Sequence, residues 1–164
     1  MLSDRRTVLL SLAALSLAGC GFTPVYQQNG AARGLHGKIR INLIESRDGF
    51  QLLSRLETRL GSAGVNAPFA MTVDMAISET DLILDVAKGI TRYTLTGVAT
   101  ISVKDVAADA VVLSGKLRET VGYSGNAETA QTVAAKRDAT DRLIDSLADM
   151  IVLRLTSTAE SWAK

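Results

Sequence analysis

The chain has 164 residues, 47% of them hydrophobic, which is enough for one domain with a substantial core but not for two. Its 18 basic and 17 acidic residues nearly cancel, so a nucleic-acid binder is not expected. One histidine and one cysteine leave little material for a zinc site or a Cys–His pair. No Gly-x-Ser-x-Gly elbow or phosphate-binding glycine loop is present, so we expect a protein that is not an enzyme and needs no cofactor.

The N-terminal residues have the features of an exported lipoprotein. Arg5 and Arg6 precede an apolar run of about ten residues, roughly half the length of a bilayer-crossing helix. The Leu-Ala-Gly-Cys sequence at residues 17–20 resembles a lipobox, in which the cysteine becomes the acylated first residue. We predict that residues 1–19 are a removable signal peptide and that Cys20 carries the lipid, palmitate included. The alternative is that Cys20 is an ordinary small residue at the end of an apolar helix. The arginine pair leaves both Sec and twin-arginine export open.

Removal of the signal peptide would leave a mature chain with equal numbers of basic and acidic residues. Residues 20–37 are polar and contain several glycines, and we expect them to form a lipidated tether. Residues 38–164 are expected to form a single α/β domain. The mature chain has no second apolar stretch near 18 residues, so the lipid is its predicted attachment to the membrane.

The first predicted elements are a strand and a short helix. Apolar and polar residues alternate after Lys38, which predicts a half-buried strand with inward residues Ile39, Ile41 and Leu43. Helical spacing then predicts an amphipathic helix with an apolar stripe of Phe50, Leu52, Leu53, Leu56 and Leu60. Its N-cap is predicted at Ser46 or Asp48, and its end at Gly61 or Gly64.

Three strands and a long helix follow. Period-two alternation predicts a long strand over residues 69–86, with an irregularity at residues 79–81 and a turn at Lys88 and Gly89. A strand over residues 92–104 points Tyr93, Leu95, Gly97, Ala99, Ile101 and Val103 inward. A strand over residues 111–121 points Val111, Leu113, Leu117 and Val121 inward, and residues 122–126 break the pattern.

From Ala127 the chain is predicted to be helical for about thirty residues. Its apolar stripe is Ala130, Val133, Ala134, Leu143, Ile144, Leu147, Ile151 and Leu155. The order β-α-β-β-β-α predicts an α+β two-layer sandwich, with a four-stranded mixed sheet and two helices on one face.

Two groups of charged residues stand out. The first is an acidic stripe at helical spacing, formed by Asp138, Asp141, Asp145 and Asp149. It fits a cation site, an acidic contact surface or a solvated face that neighbouring basic residues compensate.

The second group lies on the sheet face that points away from the helices. Six basic residues share this face with a single acid, Asp74, and with many hydroxyls; they are Lys38, Arg40, Arg92, Lys104, Lys116 and Arg118. Arginine and lysine donate charge-assisted hydrogen bonds to phosphate oxygens, so the face suits phosphates and sugars. An ordinary solvent-exposed strand face is the alternative.

Several of these features together resemble one family. Residues 20–26, Cys-Gly-Phe-Thr-Pro-Val-Tyr, are similar to the Cys-Gly-Phe-x-Pro-Leu-Tyr opening of the lipopolysaccharide-assembly lipoproteins (LptE, also called RlpB). Val25 departs from the usual leucine. The Arg92-Tyr93-x-Leu95 strand, Tyr123 and the helix end at residues 151–155 also resemble that family.

The resemblance implies a lipoprotein anchored on the periplasmic side of the outer membrane. It would plug a β-barrel translocon (an LptD-like partner) and help that barrel to assemble and to insert lipopolysaccharide at the cell surface. From the strand pattern, the candidate lipopolysaccharide contacts are Arg92, Lys116, Arg118, Lys38 and Arg40. The alternative is a periplasmic lipid- or solute-binding lipoprotein that serves an inner-membrane transporter, which would need an apolar pocket between sheet and helices.

Overall fold

The computed structural model describes residues 34–42, 45–85, 90–126 and 130–163. Its elements occur in the predicted order and are β1 (Ile39–Ile41), α1 (Arg47–Leu60), β2 (Phe69–Asp85), β3 (Ile90–Asp105), β4 (Ala110–Asn126) and α2 (Ala130–Trp162). The predicted signal peptide, Cys20, Leu43 and the predicted turn at Lys88 and Gly89 lie outside the described residues.

The four strands form one mixed sheet in the order β1-β2-β3-β4. Strand β1 pairs in parallel with the start of β2, over Phe69 to Met71, and the other pairs are antiparallel. The inward residues of the sheet share one apolar core with the buried residues of both helices. The predicted α+β class, with two helices on one face of a mixed sheet, is therefore confirmed.

Helix α1 begins and ends at two of the predicted residues. The Ser46 hydroxyl accepts a hydrogen bond from the Gly49 N–H at 2.9 Å, so Ser46 is the N-cap. Gly61 has a positive φ of 79° and its N–H donates to the Glu57 carbonyl, which ends the helix there. The buried face carries Leu52, Leu56 and Leu60, whereas Phe50, predicted in the stripe, is 63% exposed.

Helix α2 is 33 residues long, or about 50 Å. Its buried stripe runs from Ala139 to Trp162, and Leu143, Ile144, Leu147, Ile151 and Leu155 are fully covered. The prediction that the stripe begins at Ala130, Val133 and Ala134 is wrong, because these residues are exposed. In the described part of the chain, neither helix combines the length and apolarity that a membrane crossing needs.

Strand β2 departs from the prediction in the position of its bulge. The pairing of β2 with β3 continues without a shift through residues 79–81, so the predicted irregularity there is wrong. The register shifts instead between Ile83 and Asp85, where β2 has one extra residue.

A second shift explains two differences in β4. Val103 pairs with Leu113 but Lys104 pairs with Val111, so Val112 is an extra residue in β4. The bulge reverses the alternation, and Val111, predicted inward, is 61% exposed. The strand also continues over residues 122–126, where a break was predicted, because these residues pair with the start of β3.

Helix α2 lies along the whole length of the sheet. Thr132 in its first turn lies against Gly125 at the end of β4, and Trp162 in its last turn packs edge-on against Phe69, with ring centroids 5.1 Å apart. Between them, Gly97 of β3 is in close contact with the helix. A Cβ at this position would lie 2.8 Å from Leu147 Cδ1, so the absence of a side chain lets helix and sheet approach closely.

The folded part begins before β1. Leu35 is buried in the core, and the Gly37 N–H donates to the Leu60 carbonyl at 2.8 Å. The chain is therefore attached to the domain three residues upstream of Lys38, where the alternation predicted its start.

We predict that Gly97→Ala destabilises the domain by about 1–3 kcal/mol, because the new methyl group overpacks the contact with Leu147. Gly115→Ala is the matched control, since its Cβ faces the same layer and would lie 3.8 Å from Ile101, an ordinary contact. Chemical denaturation of both variants measures the difference. Equal midpoints for the two variants would show that the approach at Gly97 is not tight.

Candidate functional site

The outer face of the sheet is polar, and the strand register arranges its residues in rows. Asp74, Thr100 and Lys116 share one row, and Ser78, Thr96 and Thr120 another. The Thr96 and Thr120 hydroxyl oxygens lie 3.5 Å apart, and the Asn42 amide donates to the Thr72 hydroxyl at 3.0 Å. Because both helices cover the opposite face, these hydroxyl-rich rows are left to solvent or to a partner.

The register separates the predicted lipopolysaccharide contacts into three groups. Lys116 and Arg118 lie two residues apart on the same face of β4. Arg92 is level with Ser124, six residues or about 20 Å further along the sheet from Arg118. Lys38 and Arg40 lie at the opposite end, beside the start of β2. All five side chains are exposed, but they do not converge on one site.

The cations of this face differ in what they contact. Lys104 pairs with Asp109 at 2.6 Å, and the Arg40 guanidinium donates to the Val65 carbonyl at 3.3 Å. The Arg92 guanidinium lies over Gly122. A Cβ added to Gly122 would be 3.6 Å from the Nη2 atom of Arg92. Within the part of the chain that the structure describes, Lys116 and Arg118 take part in no ion pair. They are the adjacent cations of this face that a phosphate could reach.

The acidic stripe of α2 is mostly a contact surface for α1. Gln51 donates to Asp141 at 2.7 Å, Arg55 pairs with Asp145 at 3.2 Å, and Arg59 pairs with Asp149 at 2.7 Å. Because the residue numbers of the partners increase in the same direction along both helices, α1 and α2 are parallel. Exposed pairs of this kind contribute less than about 1 kcal/mol each, so their main effect is on how the helices align.

The remaining acid of the stripe, Asp138, pairs with Arg142 one turn away at 2.9 Å, as expected for a compensated solvated face. Among the described residues, no three His, Cys, Asp or Glu side chains are grouped so that they could hold a metal ion.

A polar network lies on the inner face of the sheet, at the end away from β1, which we call the far end. The sequence does not predict it. The Tyr123 hydroxyl and the Lys136 ammonium both donate to the carboxylate of Glu79, which joins β4, α2 and β2. Tyr123 is buried, and its ring stacks on Tyr93 with centroids 4.9 Å apart. The sequence pattern missed it because Glu79 was assigned to an irregularity and Tyr123 to a break.

The network shifts the pKa values of two of its members. Burial raises the pKa of Tyr123, and the hydrogen bond to the Glu79 carboxylate raises it further. Partial burial of Glu79 opposes its ionisation, but the hydrogen bonds from Lys136 and Tyr123 outweigh this effect. The pKa of Glu79 is therefore lowered below its usual value of 4.5.

A groove of about 310 Å³ lies between the start of α1 and the first half of α2. Charged side chains of both signs line much of it, namely Arg47, Asp48, Lys136, Arg137 and Asp141. This lining does not match the apolar pocket that the solute-binding alternative requires.

The fold is similar to that of several solved bacterial proteins. A minor lipoprotein from Acinetobacter baumannii matches with a TM-score of 0.59 at 15% identity, over 75% of this chain and 94% of that one. The rare lipoprotein B from Shewanella oneidensis matches with a TM-score of 0.53 at 15% identity, over 77% and 98%. A protein from Caulobacter crescentus CB15 matches with a TM-score of 0.59 at 20% identity, over 77% and 93%. At these identities the likeness concerns the fold alone.

The sequence identifies the family to which the chain belongs. The family model described as "LptE: Lipopolysaccharide-assembly" matches residues 37–155, well over half of the chain. The chain therefore belongs to the LptE family of lipopolysaccharide-assembly proteins, which confirms the resemblance seen in the sequence. No curated protein matches it.

We predict that Tyr123→Phe destabilises the protein at neutral pH by roughly 1 kcal/mol, because Glu79 loses a hydrogen bond to its charged form. A group with a lowered pKa contributes stability above its unfolded pKa and loses it as the pH falls through the folded pKa. The destabilisation should therefore shrink below pH 4.5. Denaturation curves of wild type and variant across this pH range measure it.

The control for this experiment is Tyr93→Phe, which keeps the ring stack and leaves the Glu79 contact in place. A destabilisation by Tyr123→Phe that does not change with pH would mean that the Tyr123 hydroxyl does not favour the ionised form of Glu79.

Proposed function

We propose that this protein is an outer-membrane lipoprotein, acylated at Cys20 and anchored on the periplasmic side, that plugs a β-barrel lipopolysaccharide translocon. It helps the LptD-like barrel to assemble and aids insertion of lipopolysaccharide at the cell surface, without catalysing a reaction. The observation that carries the proposal is the family match over residues 37–155. The lipobox at residues 17–20 supports the anchor.

The outer sheet face gives the plug role a physical basis. A barrel lumen is lined by polar groups and holds water, so a protein inside it needs a polar exterior. The threonine and serine rows of β2, β3 and β4 supply such an exterior over strands that are about 55 Å long. The helices cannot cover these rows, because they are packed on the other side.

The same face offers contacts for lipopolysaccharide phosphates. Lys116 and Arg118 form one adjacent pair of the predicted cations, and Arg92 forms a second point about 20 Å away. Lys38 and Arg40 form a third group. We propose that these residues contact separate phosphates or sugars of an extended ligand, because charge-assisted hydrogen bonds do not require them to converge.

The transporter-serving alternative has less support. It requires space for a lipid between the sheet and the helices, but at Gly97 the Leu143 and Leu147 methyl groups lie directly on the strand backbone. The groove between α1 and α2 is lined by charged side chains.

We predict that the acylated full-length protein, extracted from outer membranes, co-purifies with a large β-barrel protein and that its depletion leaves lipopolysaccharide in the periplasm. Affinity purification followed by mass spectrometry is the measurement. A tight complex without any large barrel, together with bound lipid by native mass spectrometry, would favour the transporter-serving role instead.

We also predict that Arg92→Glu with Arg118→Glu weakens lipopolysaccharide binding on the order of tenfold but leaves barrel association intact, because each substitution removes a phosphate contact. The matched control is Arg137→Glu with Arg154→Glu, which changes the net charge equally on exposed positions of α2. Direct binding of labelled lipopolysaccharide measures both. Equal binding by wild type and the sheet variant would make this face an ordinary solvated surface.

A further inference from the structure

One end of the sheet carries exposed aliphatic side chains on two adjacent loops. Val65 is 82% exposed in the loop before β2, and Val106 is 49% exposed in the turn between β3 and β4. Pro68, Ala107 and Ala108 are exposed beside them. We call these five residues the apolar tip. Isolated exposed aliphatics are common in soluble proteins, but a contiguous group marks a contact surface.

Backbone contacts hold the two loops together. The Val106 N–H donates to the Pro68 carbonyl at 2.9 Å, which joins the β3–β4 turn to the loop before β2. The Asp105 carboxylate accepts the N–H groups of Ala107 and Ala108 at 2.8 and 2.9 Å, so it shapes the turn. The apolar tip is therefore a preformed surface.

The chain enters the fold at this same end. Gly37 is hydrogen-bonded to Leu60 at the end of α1, and the loop that carries Val65 starts at the next residue, Gly61. The last turn of α2 is there too, because Trp162 packs against Phe69. The N-terminal tether and the ends of both helices thus share one end of the sheet with the apolar tip.

The length of the tether limits which end can face the membrane. Gly34 lies fourteen positions after Cys20, and even a fully extended chain of this length spans at most about 50 Å. The sheet, with 17 residues in β4, is about 55 Å long. If the far end of the sheet were on the membrane, the tether would have to span the length of the sheet, which is more than its fully extended length. The end that carries the apolar tip is the one that the tether holds near the lipid.

We propose that, while no barrel surrounds the domain, the apolar tip rests in the headgroup region of the membrane in which Cys20 is anchored. This inference depends on the acylation given under Proposed function. Val65 and Val106 insert between headgroups, while the exposed Lys38 and Arg40 lie beside the tip and face anionic lipid. The tether supplies a high local concentration of membrane, so two valines suffice for a contact that would be weak in a free protein.

The contact orients the domain. It sets the long axis of the sheet away from the bilayer, with Arg92 at the far end and Arg40 at the membrane. A barrel partner would then meet a domain with a defined direction instead of one that rotates on its tether.

The test uses the acylated full-length protein in vesicles of phosphatidylethanolamine and phosphatidylglycerol, with no barrel present. An environment-sensitive fluorophore is attached at Val106→Cys or, as the matched control, at the exposed far-end position Ser124→Cys. Insertion should blue-shift the emission of the label at position 106, and lipids with a quencher near the headgroup should quench it, while the label at position 124 stays unchanged. Val65→Asp in the labelled Val106→Cys protein should abolish much of this quenching.

Equal quenching at both positions, or none at either, would overturn the proposal. Quenching at position 106 that appears only in vesicles holding the barrel would also overturn it, because the tip would then bind protein. Acylation of Cys20 is tested separately by mass spectrometry. Membrane attachment is tested by vesicle flotation, with the Cys20→Ala variant as the comparison. A protein that is acylated and floats, yet shows no tip quenching, contradicts the tip proposal alone.

Discussion

The packing of α2 along the sheet is the contact on which the rest of the structure depends. Strands as long as β2, β3 and β4 expose a long apolar face, and one helix of about 50 Å covers much of it. Leu143, Ile144, Leu147, Ile151 and Leu155 are fully buried there. Small strand residues, Gly97 and Ala99, make room for them. Since the helix takes one face, the other face is left uncovered and is largely polar.

Helix α1 packs beside α2 through a row of charged and polar pairs as well as through its leucines. Arg55 and Arg59 meet Asp145 and Asp149, so the helical layer neutralises many of its own charges. Among the residues that the structure describes, Lys116 and Arg118 on the sheet face have no such ion-pair partners. A chain with almost no net charge therefore presents a basic surface on one side.

The two ends of the sheet also differ in character. At the far end, Glu79, Tyr123 and Lys136 tie three elements together with hydrogen bonds. At the near end, the tether, both helix ends and the exposed valines meet. The domain therefore has a polar far end and a near end with exposed aliphatic side chains.

Local patterns in the sequence determined the element order and the inward face of β3, because each depends on residues close together in the chain. They limited the ends of α1 to Ser46 or Asp48 and to Gly61 or Gly64, and the structure selected Ser46 and Gly61. The bulge that turns Val111 outward could not be read in this way, since register is set by the neighbouring strand. The acidic stripe of α2 allowed three interpretations from sequence. Only the structure brought Asp149 to Arg59, 90 residues away, and Glu79 to Tyr123, 44 residues away. Periodicity identifies which residues turn inward, but their partners are decided by how the layers pack.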